Sequence, residues 1–129
     1  MSCTGATEVT VTLSWPPTGN HYKKPRAVAK GKIRWYLTSE AKAYHTRVWE
    51  VTRATKRFRE GQRLRVDATL YPPDRRAFDV DNRVKVLLDS LQRAGIYPDD
   101  GQIDDLRITR GPLDRPDGKV VVTITEVTA

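Results

Sequence analysis

Two proline pairs, Pro16–Pro17 and Pro72–Pro73, each follow a short stretch in which apolar and polar residues alternate. Residues 9–15 (VTVTLSW) and 64–70 (LRVDATL) have the two-residue period of a half-buried β-strand. Proline cannot donate a backbone hydrogen bond to a neighbouring strand, so each pair ends the strand before it. The chain is therefore predicted to place one strand near its start and another near its middle.

Two other segments have the apolar spacing of α-helices. The first helix is predicted to begin near Thr38 or Ser39, either of which can cap it, and to continue as far as Gly61. The second is predicted from about Asn82 to Ala94, with Gly95 just past its end. The apolar residues that define the two helices are Ala41, Tyr44, Val48, Val51 and Phe58 in the first, and Val84, Leu87, Leu88 and Leu91 in the second.

Two more strands are predicted at 106–110 and 119–127, which completes the order β-α-β-α-β-β. We therefore expect one α+β domain over residues 1–129, with helices packed on a mixed sheet. The segment 18–35 (TGNHYKKPRAVAKGKIRW) lacks a clear period and is predicted to be a functional loop.

The formal net charge is +7, and no acidic residue occurs between Glu8 and Glu40. Such a balance favours nucleic acid as a partner, although a solvated loop that keeps the protein in solution would look the same. The single cysteine excludes an internal disulfide and a cysteine-rich zinc site. No segment has the roughly 20 apolar residues of a membrane span, and the N-terminus lacks a signal-peptide pattern. A cytoplasmic location is expected.

Asp79 and Asp81 lie two residues apart in this basic chain. Two carboxylates about 4 Å apart repel by roughly 4 kcal/mol at an effective dielectric near 20. In an extended segment such residues share one face, so solvent, a helix N-terminus, a basic side chain or a metal ion must offset the repulsion. Asp81 could instead be the N-cap of the second helix, which would leave Asp79 without a reason.

Further charged residues follow on the same segment. Lys85 comes four residues after Asp81 and four before Asp89, so it is either part of a helical ion-pair ladder or available to a phosphate. A second acidic group contains Asp99, Asp100, Asp104 and Asp105. These acids suit a turn, but carboxylates without nearby cysteine or histidine also suit Mg²⁺ or Mn²⁺.

Carboxylates on a basic protein are consistent with a phosphodiester substrate. The basic surface would collect nucleic acid, while a cation would offset charge on the scissile phosphate and lower the pKa of a bound water. A metal-dependent nuclease is the hypothesis that explains both kinds of charge. The residues show no phosphate-binding glycine loop, and no organic cofactor is expected.

Several motifs, taken in order, resemble the RusA family of Holliday-junction resolvases. The first is LSWPPTGNHY at 13–22, and YLTSEAKAY at 36–44 follows. PDRRAFDVDNRVKVLLDSLQRAGIYPDDGQIDD at 73–105 resembles the central signature of the family, and VVVTITE at 120–126 its closing strand. The resemblance covers most of the chain.

The resemblance implies a crossover junction endodeoxyribonuclease, a hydrolase of DNA recombination and repair that acts as a homodimer in bacteria or phages. It implies Mg²⁺, with Mn²⁺ as a substitute, and cleavage of four-way DNA by paired symmetric nicks. Asp79, Asp81 and Asp100 match the metal ligands, Lys85 matches a catalytic lysine, and Asp99 is the neighbouring acid. The implied DNA contacts are Thr18, Gly19, Asn20, His21, Lys23, Lys24, Arg75, Arg76, Phe78, Asn82 and Lys85.

The chain departs from the family pattern at Ala77 and Phe78, where members of the family can carry further arginines. Phe78 is hypothesised to wedge against bases at the crossover, and a Phe78→Ala variant that binds and cleaves like the parent would refute this. Two alternatives remain at this level. One is a less selective nuclease of flaps and branched intermediates, and the other is a catalytically silent junction-binding protein.

Overall fold

The computed structural model describes residues 8–17, 23–29, 32–76 and 80–127, with the backbone alone at 23–29, 32–36 and 80–82. Within these ranges it contains six strands, two α-helices and one short 3₁₀ turn. The strands are β1 (Glu8–Leu13), β2 (Lys23–Ala29), β3 (Lys32–Leu37), β4 (Leu64–Tyr71), β5 (Ile103–Arg110) and β6 (Lys119–Glu126). The helices are α1 (Ser39–Thr52) and α2 (Val80–Arg93), and the 3₁₀ turn is Asp100–Gln102.

Four of the strands form one mixed sheet in the order β1-β6-β4-β5. The pairs β1–β6 and β4–β6 are antiparallel, whereas β4–β5 is parallel. The parallel pair requires a crossover connection, which α2 and the 3₁₀ turn supply. The predicted α+β class, with two helices packed on a mixed sheet, is confirmed.

The core lies between this sheet and the two helices. Alternate residues of β4 and β6 are fully buried, among them Val66, Ala68, Val122 and Ile124. They pack in one apolar cluster with side chains of the helices, such as Tyr44, Val48, Leu87 and Leu91. The two-residue period of the strands therefore selects the face that the helices cover.

The prediction that residues 18–35 form a loop is wrong for most of the segment. Residues Lys23–Ala29 and Lys32–Leu37 pair as an antiparallel two-stranded sheet, with an irregularity between Ala27 and Ala29. In β3, Ile33, Trp35 and Leu37 do alternate with more polar neighbours. The run KKPRAVA of β2 contains a proline and shows no alternation, so only one of the two partners has a strand pattern in the sequence. This is why the periodicity did not reveal the pair.

Helix α1 begins where expected but ends nine residues before the predicted Gly61. The Thr38 hydroxyl accepts a hydrogen bond from the Ala41 amide at 3.2 Å and caps the helix. At the other end, Thr55 Oγ1 donates to the Thr52 carbonyl at 2.7 Å, which satisfies a terminal acceptor. Phe58 is buried, as predicted, but it lies beyond the helix, where its amide donates to the Ile96 carbonyl.

Helix α2 begins at Val80, two residues before its predicted start. Asp81 therefore lies inside the first turn and is not the N-cap, and the extended geometry expected for 79–81 does not hold at Asp81. Asp79 lies outside the described residues.

The strand register decides which connections meet. Leu13 of β1 and Leu70 of β4 both pair with Val120 of β6. The segments that follow β1 and β4 therefore lie at the same end of the sheet as the connection between β5 and β6. We call this the proline end, because Pro16, Pro17, Pro72 and Pro73 occur there. The opposite end carries the starts of β4 and β5.

Candidate functional site

Lys85 is exposed on α2 and makes no ion pair with any residue that the structure describes. The predicted ladder through Asp89 does not form, because Asp89 Oδ2 accepts a hydrogen bond from Arg93 Nε at 2.8 Å. Arg93 is four residues after Asp89, the spacing at which helical side chains meet. The Lys85 ammonium is thus available to an anionic ligand.

The four acids of the second acidic group have different environments. Asp99 caps the 3₁₀ turn: its side chain accepts from the Gly101 amide at 3.2 Å, and its own amide donates to Gln102 Oε1 at 3.1 Å. Gln102 is buried and donates to the carbonyls of Arg59 and Gln62. Asp99 therefore holds the turn in place.

Asp104 and Asp105 are engaged by arginines of the same chain. Arg63 Nε lies 3.0 Å from Asp104 Oδ2, and this hydrogen bond lowers the pKa of the Asp104 carboxyl. The Asp105 pKa is lowered first by the hydrogen bond from Arg107 and then by the one from Arg65, which is 3.0 Å away. Both carboxylates are thus paired with arginines at the start of β5, which makes them weaker candidates for a metal than an unpaired carboxylate.

Asp100 is the acid of this group that remains available. It is exposed, and its carboxylate has no hydrogen-bond partner among the described residues. Its backbone amide donates to Gln92 Oε1 at 3.0 Å. Nearby, the buried Tyr97 donates to the Leu88 carbonyl at 2.8 Å, and burial together with Asp100 and Asp89 raises the Tyr97 pKa. Asp100 therefore presents free carboxylate oxygens from an anchored backbone.

The anchoring also sets the distance of Asp100 from the start of α2. Gln92 lies eleven residues after Asp81, which is about 16 Å along a helix axis. A magnesium ion holds its oxygen ligands at about 2.1 Å. The described residues of one chain contain no group of three acidic, histidine or cysteine side chains that could hold a metal ion. The chemistry of Asp100 suits a hard cation, but its anchored position in the chain is remote from Asp81.

The predicted DNA contacts are described only in part. Thr18, Gly19, Asn20, His21 and Phe78 lie outside the described residues, and Lys23, Lys24 and Asn82 are described by their backbone alone. Arg75 is exposed at the proline end, as a DNA contact requires. Arg76 is also exposed, but its guanidinium pairs with Asp74 at 2.9 Å and lowers the Asp74 pKa.

Two arginines that the sequence reasoning did not single out lie at the proline end. Arg83 of α2 donates to the Pro16 carbonyl, and its guanidinium lies 5.4 Å from the centre of the Trp15 ring. Arg47 of α1 donates through Nε to Ser14 Oγ at 3.2 Å. The sequence separations of Arg47 and Arg83 from Trp15 do not predict this arrangement. The three side chains meet only because both helices pack against residues 14–17.

The fold and these exposed side chains describe a small basic α+β protein with a surface that suits an anionic ligand. No helix in the described part of the chain is long and apolar enough to cross a membrane. Residues 4–125 match the family described as "Endodeoxyribonuclease RusA". The chain belongs to this family.

Curated relatives agree with the family match. The chain is 30% identical over 118 residues to the crossover junction endodeoxyribonuclease RusA of Escherichia coli strain K12, which covers 91% of this chain and 93% of the relative. The protein of the same name from Shigella sonnei strain Ss046 gives the same values. The enzyme of Enterobacteria phage HK97 is 35% identical over 116 residues, 89% of this chain and 92% of the relative.

Proposed function

We propose that this chain is a metal-dependent, structure-specific endonuclease that resolves four-way DNA junctions by paired symmetric nicks. The observation that carries the proposal is the match of residues 4–125 to the endodeoxyribonuclease family. Its relatives are named for cleavage at crossover junctions and come from bacteria and phages. We accordingly place its action on DNA in the cytoplasm of a bacterium.

We assign the metal ligands to Asp79, Asp81 and Asp100, with Mg²⁺ as the cation. The unpaired carboxylate of Asp100 supports this assignment, because Asp104 and Asp105 are occupied by arginines and Asp99 caps a turn. When bound, the cation would offset charge on the scissile phosphate and acidify a water.

Lys85 is assigned to the stabilisation of negative charge that develops on the phosphate. Its ammonium is exposed and unpaired among the described residues, and it lies one helical turn after Asp81 in α2. Because no carboxylate among the described residues pairs with this ammonium, its full positive charge can stabilise the negative charge that develops in the transition state.

A four-way junction has approximate two-fold symmetry and needs two cuts, so we propose a C2 homodimer with one centre for each cut. A dimer would also explain how Asp81 and Asp100 can bind the same metal although they lie far apart within one chain. Asp100 is anchored at Gln92, about 16 Å along α2 from Asp81. We infer that Asp100 of a second copy completes the centre that contains Asp81.

The test is cleavage of a synthetic four-way junction in Mg²⁺ by the parent and by Asp81→Asn. We expect symmetric nicks from the parent. The variant should lose activity by more than the roughly 10- to 100-fold typical of outer-shell metal partners, because Asp81 is a direct ligand. Its binding to the junction should persist, since the basic contacts remain.

Two results would overturn the proposal in different ways. A parent that binds the junction but does not cut it in Mg²⁺ or Mn²⁺ would be a binding protein. A parent that cuts flaps and linear duplex as readily as the junction, at equal concentration and salt, would be a less selective nuclease.

A further inference from the structure

Residues 14–17, which follow β1, are held from two sides. Tyr44 Oη of α1 donates to the Ser14 carbonyl at 2.9 Å, and Arg47 Nε donates to the Ser14 hydroxyl. From the other side, Arg83 of α2 donates to the Pro16 carbonyl and lies over the Trp15 ring. The segment is therefore fixed relative to both helices and offers a rigid wall.

An open cleft of about 320 Å³ lies against this wall. Its lining consists of Trp15, Pro16, Pro17, Glu40, Ala43, Arg47 and Arg83. The volume is at the lower end of the range of about 300–1,000 Å³ for small-ligand pockets, so the cleft suits one nucleotide and not a duplex. Among the described lining residues Arg47 and Arg83 outnumber Glu40, so this part of the lining carries a net positive charge.

The two guanidinium groups keep donors available. Neither Arg47 nor Arg83 makes an ion pair with a described residue. The Nε atom of Arg83 is buried without a hydrogen-bond partner, and burial lowers the Arg83 pKa. Arginine remains charged in proteins, so a partly buried guanidinium without a carboxylate partner is stabilised by an anion that enters the cleft.

The position of the cleft relates it to the proposed centre. Arg83 is two residues after Asp81 and two before Lys85. On a helix of 3.6 residues per turn, two residues correspond to a rotation of about 200°, so Arg83 lies on the side of α2 opposite to Asp81 and Lys85. The Arg83 side of α2 faces α1 and Trp15, whereas Gln92, which shares the helix face of Lys85, contacts the acidic turn. The cleft is thus separated from Lys85 by the width of one helix.

We propose that Arg47 and Arg83 form a binding site for a DNA backbone phosphate that lies a few nucleotides from the scissile one on the same strand. This site rests on the proposed function, since it orients the strand that the nuclease would cut. Guanidinium groups suit the site because their planar donors pair with two phosphate oxygens at once. The site reads no sequence, because phosphates carry none.

The experiment measures binding of the full chain to a synthetic four-way junction in metal-free buffer over about 50 to 200 mM salt. The variants are Arg47→Gln, Arg83→Gln and the double variant, with Arg47→Lys and Arg83→Lys to keep the charge. Arg83→Gln keeps an amide N–H donor but is shorter than arginine, so any loss of the hydrogen bond from Arg83 Nη1 to the Pro16 carbonyl is read as a change in affinity at constant slope. Arg59→Gln is the control, because Arg59 is exposed near Gln62 and Gln102, at the opposite end of the sheet.

We expect each glutamine variant to reduce the slope of log K against log salt by about 1, and the double variant by about 2. The lysine variants and Arg59→Gln should keep the parental slope. A change in affinity at constant slope would mean that the arginines only support residues 14–17, and unchanged affinity and slope would mean that no phosphate binds there. Either result overturns the site.

Cleavage and binding by the parent protein distinguish a failure of the phosphate site from a failure of the proposed function. If the parent cuts the junction in Mg²⁺ and the glutamine variants keep its slope, the phosphate site fails and the nuclease stands. If the parent neither binds nor cuts a junction, the proposed function itself has failed.

Discussion

The Asp100 amide donates to Gln92 Oε1 at 3.0 Å, which fastens the acidic turn to the C-terminal half of α2. Asp81 lies in the first turn of the same helix. The two aspartates that the family resemblance assigns to one metal are therefore held about three helical turns apart within one chain.

A mixture of Asp81→Asn and Asp100→Asn proteins tests whether two chains share a centre. If they do, each mixed dimer keeps one intact centre, made of Asp81 from one copy and Asp100 from the other. Random pairing at equal amounts would make about half the dimers mixed, so about a quarter of the parental centres should survive. The measurement is nicking of a supercoiled plasmid that extrudes a four-way junction: one cut relaxes the plasmid, whereas two paired cuts linearise it.

The separate variants serve as controls and should both be inactive. Relaxed plasmid from the mixture alone would support the shared centre. A mixture as inactive as its components, despite shown exchange of subunits, would place all ligands in one chain.

Lys85→Ala should abolish most cleavage without loss of stability. The side chain is exposed and has no ion pair among the described residues, and surface substitutions of this kind change the free energy of unfolding by at most about 0.5 kcal/mol. Loss of one charge that stabilises the transition state costs on the order of 10²-fold in rate. Single-turnover cleavage and thermal unfolding, measured on the same samples, check both expectations.

Lys56→Ala is the matched control for Lys85→Ala, because Lys56 is another exposed lysine without an ion pair to a described residue. It should cleave at the parental rate. Cleavage by Lys85→Ala at the parental rate would remove Lys85 from the chemistry.

Acid should destabilise the fold through His45, which lies between the two helices. Burial and the Arg93 guanidinium lower the His45 pKa to about 4. Its Nδ1 lies 2.8 Å from Ser90 Oγ, whereas Asp89 is 3.8 Å from Nε2 and is held by Arg93. Below the ordinary pKa of about 6.5 the unfolded state binds the proton more readily, so stability falls from pH 6.5 towards pH 4.

The expected loss is about 1 kcal/mol at about pH 5 relative to pH 7.5, after allowance for solvent screening of the partly exposed ring. Urea unfolding of the parent and of His45→Gln at the two pH values measures it, and glutamine can keep a hydrogen bond to Ser90. An equal acid sensitivity in both proteins would assign the effect to other groups.

Gly118→Ala should destabilise the proline end. Gly118 has φ +73°, and a Cβ there would meet Pro73 Cδ at 2.8 Å and the Tyr71 carbonyl oxygen at 2.9 Å. The left-handed backbone costs a non-glycine residue about 1–2 kcal/mol, and overpacking typically adds another 1–3 kcal/mol. We expect a loss of about 3 kcal/mol in the free energy of unfolding.

Gly61→Ala measures the cost of the left-handed backbone alone, without the steric clash that Gly118→Ala adds. Gly61 also has a positive φ, +88°, but a Cβ there would meet nothing within 4 Å. It should therefore lose only about 1–2 kcal/mol. Equal losses in the two variants would show that the contact with Pro73 relaxes without cost.

Local chemistry was sufficient to predict the four strands of the mixed sheet, the start of α1 at Thr38 or Ser39 and the fold class. In β4 and β6, alternation indicates which residues the helices cover, because side chains of a strand point to opposite faces in turn. The threonine cap is equally local, since it joins residues three apart. The family resemblance also depended on order and spacing along the chain alone, and the match of residues 4–125 confirms it.

Contacts between distant segments decided the rest. The pairing of β2 with β3, the end of α1 at Thr52 and the cleft between Arg47 and Arg83 all depend on neighbours that the chain supplies only after it folds. The four acids of the second group look alike in the sequence, yet Arg63, Arg65 and Arg107 neutralise two of them and a turn employs a third. Tertiary packing decides whether a cationic side chain lies within a few ångströms of a carboxylate. A carboxylate with such a partner has a structural role, whereas one without it is available to a ligand, because ion pairing weakens steeply with distance in a solvated protein.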